Sequence, residues 1–288
     1  MRRFGAAQWL MLLPAQGLLW AAIGLPALFV LWLSVTQSSY GGASAFVGFG
    51  NYVAIWQDPY FWRALANTLI VMHVAIYTEI VLAIVLAVAF AGLRRRRLLV
   101  SILLMPYAIS EVVAVIIWKF LMEPGGGLYA RALGTAGLPA LQWASDPNAG
   151  LALVSIVSIW LHLPFSFLIV FAAVLAVPRE QYEAAFVDGA GLWSAFRHVT
   201  LPAILPAALV ALVFRYIIAF RLFSEVWLLT GGGPARRTEV MAIYLYKQAF
   251  TYSNFGEGAA TGWLMVVISL IFAAGYVRLL HRSSFARD

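Results

Sequence analysis

Six apolar runs, each long enough to cross a bilayer as a helix, constrain this chain more than any other feature. They cover residues 9–34, 67–91, 98–122, 150–176, 203–229 and 259–280. A hydrocarbon core takes about 20 helical residues. The runs are continuously apolar rather than alternating, which argues against a membrane β-barrel. Only 11% of residues are charged and 63% are hydrophobic, whereas soluble domains carry about 25% charged residues. The expected fold is an all-α membrane protein with six transmembrane helices in a single membrane domain over residues 1–288. The lipid bilayer is its main solvent.

Basic residues set the expected orientation. Arg2, Arg3, Arg94, Arg95, Arg96, Arg97, Arg179, Arg197, Arg278, Arg282 and Arg287 fall on one side, and Arg63, Arg131, Arg236, Arg237 and Lys247 on the other. The positive-inside rule then places both termini in the cytoplasm, an N-in/C-in arrangement. The same rule accounts for the net charge of +7, so no nucleic-acid partner is expected. The first run is longer than the 7–15 residues of a signal-peptide core, so it is read as a retained span.

The loops at 35–66, 123–149 and 230–258 are then external. They carry turn signals at Asp58-Pro59, Gly125-Gly126-Gly127 and Gly231-Gly232-Gly233-Pro234. The loop at 177–202 is cytoplasmic. Within it, Pro178 suits the start of a short helix over 179–187, and Glu180 and Glu183 suit the helix dipole. Gly189 is placed for a left-handed turn, and a second short helix is expected to end near Leu201-Pro202. The result is a helix–turn–helix elbow carrying Tyr182, Phe186, Trp193 and Phe196. Those rings rest either on headgroups and neighbouring spans or in the groove of a partner.

The spacing of Glu183-Ala184-Ala185, Gly189, Val199 and Leu201-Pro202 resembles the signature loop of ATP-binding-cassette (ABC) importer permeases, with Val199 where that signature has isoleucine. Asp188 also matches its common form. Gly48-Phe49-Gly50-Asn51-Tyr52 and Leu229-Thr230-Gly231-Gly232-Gly233-Pro234 look like stretches of the carbohydrate branch, the maltose F-like, binding-protein-dependent group. Met105-Pro106-Tyr107 fits a proline position of the same group.

The resemblance implies a type I ABC importer permease in a bacterial plasma membrane, importing a sugar or oligosaccharide by alternating access. It implies that Glu183, Ala184, Ala185, Phe186, Asp188 and Gly189 contact an ATPase subunit. The implied partners are a second permease subunit in a heterodimer, two ATP-binding subunits, and an external substrate-binding protein or lipoprotein. ATP and magnesium would sit on the ATPase partner, with no cofactor on this chain. The rival reading is an ATP-independent secondary transporter or channel.

The residues suggest no chemistry of the chain's own. Neither glycine-rich stretch is followed by Lys-Ser or Lys-Thr, as a phosphate-cradling P-loop requires. His73, His162, His198 and His281 lack metal-site spacing, and no nucleophile elbow or catalytic set is visible.

Ionisable groups within spans are costly and face protein or water. Glu111, Arg215, Arg221 and Glu225 are candidates for lining a substrate path. Arg221 and Glu225 lie four apart, so on one helix they would share a face and pair, a structural alternative to a path role. Glu79 has no evident partner in its own span, and pairing across a permease dimer is one expectation. Lys119 is placed to snorkel. Pro106 and Pro164 are expected to kink their spans.

Overall fold

A computed structural model describes residues 6–40, 42 and 44–285. Arg2, Arg3 and Arg287 of the orientation argument lie outside the described residues, as does the Arg282 side chain. In chain order the helices are α1 (Ala6–Leu19), α2 (Leu25–Ser34), α3 (Gly50–Gln57), α4 (Pro59–Ala91), α5 (Arg96–Ala108), α6 (Glu111–Leu121) and α7 (Leu128–Thr135). There follow α8 (Pro147–Ala176), α9 (Arg179–Val187), α10 (Leu192–Ala195), α11 (Leu201–Ala219), α12 (Ser224–Leu229), α13 (Met241–Tyr246) and α14 (Phe255–Phe285). A short antiparallel hairpin pairs β1 (Thr36–Gln37) with β2 (Ala45–Phe46).

Five helical stretches are long and apolar enough to cross a membrane, and the bent pair α5/α6 makes a sixth. Helix α4 starts before the first expected span residue, at Pro59, and Asp58 Oδ1 accepts from the Tyr60 backbone N–H at 2.8 Å. Asp146 caps α8 in the same way, through the Asn148 N–H at 3.0 Å.

Two expected spans are not straight helices. The third bends by 98° between α5 and α6. Ile109 and Ser110 take extended backbone just after Pro106, and Ser110 starts α6 anew. The fifth stops as a long helix at Ala219, and residues 220–223 separate it from α12. Pro164, by contrast, lies inside an unbroken α8. Lys119 does not snorkel: its Nζ donates to the Leu228 carbonyl at 2.7 Å.

The chain divides into two compact units. One comprises residues 1–61 and 244–266. In it, the Asn51 amide donates to the carbonyls of Ser34 and Thr36, both at 2.9 Å, and Tyr52 donates to Ser34 Oγ at 2.9 Å. These bonds tie α3 to the end of α2 and explain the Gly-x-x-Asn-Tyr stretch, in which Gly48 takes a φ of 55°. Gly256 sits where an added Cβ would lie 2.3 Å from the Thr36 carbonyl oxygen, so only glycine fits. Tyr244 donates to Asp58 Oδ2 at 2.8 Å. Burial first, and then that hydrogen bond, raises the phenol pKa and keeps Tyr244 a donor.

The other unit comprises residues 62–243 and 267–288. Its core packs Val71 of α4, Ala114 and Val115 of α6, Leu153, Val154 and Val157 of α8, and Val226 and Leu229 of α12. The turn at 230–239 is held by side-chain bonds. Thr238 Oγ1 donates to the Gly233 carbonyl at 2.7 Å, and Asn67 Nδ2 donates to the carbonyls of Arg237 and Glu239 at 2.9 and 2.8 Å. Gly231 and Gly232 take φ of 60° and 84° in that turn, and the Gly233-Pro234 bond is cis.

Candidate functional site

Two features of the second unit stand out, an exposed elbow and a polar cavity. Helix α9 covers the residues expected from sequence, with Pro178 immediately before it. It ends in a Schellman motif: the Gly189 N–H donates to the Phe186 carbonyl at 3.0 Å and the Ala190 N–H to the Ala185 carbonyl at 2.9 Å. Gly189 takes a φ of 81°, and no neighbour lies within 4 Å of an added Cβ, so backbone geometry alone demands glycine here.

The second helix of the elbow does not end at Leu201-Pro202. Residues 192–195 continue through a π-helical turn at Phe196–Thr200 into α11, giving one apolar stretch over Leu192–Ala219. Pro202 comes just after the π-helical turn, where the backbone ladder is already shifted, and does not stop the helix. Tyr182 and Thr200 share a hydroxyl–hydroxyl hydrogen bond of 2.9 Å that closes the elbow.

Glu183, Ala184, Phe186, Asp188 and Gly189 are exposed, while Ala185 is half-buried. Val187 is 87% and Trp193 72% exposed, whereas Tyr182 and Phe196 are half-buried. The apolar residues of the elbow therefore split between those packed on the protein and those facing outward.

The cavity, of about 360 Å³, is lined by Glu111, Arg215, Arg221 and Glu225 together with Ser158 and His162. All four path candidates from the sequence thus meet in one space. Glu111 opens α6 just after the bend, Arg221 lies in the break after α11, and Glu225 lies in the first turn of α12. Arg215 and Glu225 are buried, while Glu111 and Arg221 are exposed. The expected Arg221–Glu225 pairing does not form among the described residues. The chain leaves helical geometry at residues 220–223, so the two positions no longer share one helix face.

Arg215 instead pairs with Glu79, its Nε donating to Glu79 Oε2 at 2.9 Å. Ser166 Oγ donates to the other Glu79 oxygen. Thus α4, α8 and α11 meet at one buried polar knot, and the partner of Glu79 lies within this chain. Arg215 Nη1 is buried without a hydrogen-bond partner among the described residues. His162 Nδ1 is engaged by the Ser158 carbonyl at 2.9 Å. Sequence patterning singles out neither Ser158 nor Ser166, and gives His162, an ionisable span residue, no path role. Their signal was a polar side chain on a span that also carries a proline.

The elbow and the cavity share helices. Helix α8 presents Ser158 and His162 and then leads into the elbow, and α11 leaves the elbow and reaches Arg215 14 residues after Leu201. At 1.5 Å per residue that is roughly 20 Å of helix.

This architecture defines a polytopic helical membrane protein with a polar cavity and a projecting elbow on the same helices. Residues 79–284 match the family of binding-protein-dependent transport system inner membrane components. The chain is 30% identical to the trehalose/maltose transport system permease protein MalF of Thermococcus litoralis, covering 97% of this chain and 94% of that one. It is 35% identical to the trehalose transport system permease protein SugA of Mycobacterium tuberculosis, over 92% and 86% of the two chains. In fold it resembles a chain of a bacterial alginate ABC transporter crystallised with an alginate pentasaccharide-bound periplasmic protein. That match has a TM-score of 0.84 at 23% identity and covers 95% of this chain and 93% of that one. The chain belongs to the family of inner membrane permease components of binding-protein-dependent ABC importers.

Proposed function

We propose that this chain imports a sugar or oligosaccharide as one half of a permease heterodimer, driven by two ATP-binding subunits that grip its elbow. An external binding protein or lipoprotein delivers the substrate. ATP and magnesium sit on the ATPase subunits, and this chain hydrolyses nothing. The relatives named for trehalose and maltose transport support the substrate class.

The observation that carries the mechanism is the continuity of helix from the elbow to the cavity. A partner that moves α9 pulls on the ends of α8 and α11, whose other parts line the space holding Arg215, Ser158 and His162. Exposed Glu183, Ala184, Phe186, Asp188 and Gly189, with half-buried Ala185, form the grip. A partner shifts the permease between states only if it holds the elbow differently in each. In the cavity, Glu111, Arg221 and Glu225 with Ser158 supply donors and acceptors for hydroxyl groups, and Arg215 offers further guanidinium donors.

Reconstitution tests the reading. The chain with its permease partner, the ATPase subunits and the binding protein should accumulate sugar in liposomes only when ATP reaches the ATPase side. Equal uptake by the chain alone, driven by a proton or sodium gradient, would favour the secondary-transporter alternative instead.

A further inference from the structure

A second space in the same unit, a groove of about 640 Å³, runs under the elbow. One wall is apolar and comes from the cytoplasmic ends of two spans: Val88 and Ala91 of α4, and Val174 and Leu175 of α8. The elbow closes the other side. Arg96 and Arg179 line the groove, and both are exposed. Arg96 also belongs to the cluster Arg94–Arg97, which surrounds an adjoining space.

The electrostatics of the groove are one-sided. Arg96 is the first residue of α5 and Arg179 the first of α9, and neither helix has a side-chain N-cap. A helix N-terminus carries positive potential and favours anions; here two such termini each carry a cation instead. Arg96 Nη1 makes only a long contact, 3.4 Å, to the Ala91 carbonyl. Among the described residues none of Arg94, Arg95, Arg96, Arg97 or Arg179 forms an ion pair. Glu180 follows Arg179 but does not line the groove. The groove therefore joins an apolar wall at the ends of two spans to arginines that form no ion pair among the described residues.

We propose that this groove holds an anionic glycerophospholipid of the cytoplasmic leaflet. Its phosphate lies between Arg96 and Arg179, and an acyl chain lies along Val88, Ala91, Val174 and Leu175. Basic pockets at cytoplasmic span ends suit anionic headgroups. Because Tyr182 and Phe196 belong to the elbow wall of the groove, the lipid props the joint from below and stiffens its link to α8. The idea needs only the membrane placement of the elbow, and lipid retention is read without any transport.

The full complex would be purified from nanodiscs containing equal phosphatidylglycerol and phosphatidylcholine, and its retained lipid counted by native mass spectrometry. Wild type should retain phosphatidylglycerol over phosphatidylcholine. The R96Q/R179Q variant should lose that preference about 30-fold, whereas R94Q/R95Q, with the same charge loss outside the groove, should keep it. Glycerol 3-phosphate in excess should not displace the lipid. The proposal is overturned if R94Q/R95Q loses the preference equally, since the attraction is then diffuse. It is also overturned if R96Q/R179Q retains the preference, if glycerol phosphate competes fully, or if wild type retains no anionic lipid because a protein partner fills the groove. Loss of ATP-driven uptake with lipid retention intact would count against the importer reading alone.

Discussion

Arg215 on α11 and Glu79 on α4 form a buried ion pair, 2.9 Å between Nε and Oε2, in which the side chains are 2% and 0% exposed. The pair is tied to α8 through Ser166. Removing one partner of such a pair leaves a buried charge alone and costs about 3–5 kcal/mol, while replacing both with apolar residues of similar size is often neutral. R215M and E79L should each sharply lower the thermal unfolding temperature of the purified complex. The double variant should recover most of the loss. Additive losses in a double-mutant cycle would show that the two residues do not act as a pair.

The cavity charges give a second prediction. R221Q and E225Q remove groups that face the cavity without breaking an ion pair. Losing a hydrogen bond to a charged group costs about 1.5–3 kcal/mol, so the apparent KM for uptake should rise roughly 10–100-fold. Basal ATPase activity of the complex should stay within about twofold. A fall in ATPase activity with unchanged KM would contradict a substrate-facing role.

A third prediction concerns the external turn at 230–239. The Asn67 side chain serves two backbone carbonyls, of Arg237 and Glu239. N67L strands both, at about 1–3 kcal/mol for each buried group left unsatisfied. Hydrogen exchange should then quicken at residues 230–241 before it does along α4. Uniform quickening along α4 would mean that the turn is not held locally.

The elbow supplies a fourth. Y182F removes the hydroxyl bond to Thr200, a net loss of about 0.5–1.5 kcal/mol. The complex should still assemble but should consume more ATP per sugar imported. An unchanged ratio would show that the elbow transmits motion without that bond.

The spans were legible in the sequence because each apolar run exceeds the bilayer thickness, and α9 was legible because Pro178 and Gly189 mark its ends with specific backbone geometry. What escaped depends on contacts distant in sequence. Glu79 and Arg215 are 136 residues apart, so no periodicity links them. Arg221 and Glu225 have helical spacing, but the chain abandons helix at 220–223, and spacing says nothing once the helix stops. Pro106 and Pro164 carry the same local signal. Only Pro106 is followed by extended residues and a 98° bend, because tertiary packing decides whether freed backbone groups find partners. The four cavity candidates were found by the cost of burying charge in a span, whereas neutral Ser158 and Ser166 raise no such alarm.

The most direct test of the central claim is the number of ATP molecules hydrolysed per sugar imported by a Gly189→Asp variant in reconstituted liposomes. Gly189 holds a left-handed turn at the tip of the elbow with open space around it, so the substitution strains the grip without crowding the membrane helices. The account predicts normal insertion and assembly, ATP hydrolysis that persists, and uptake reduced at least tenfold. Wild-type uptake at a wild-type ratio would contradict it.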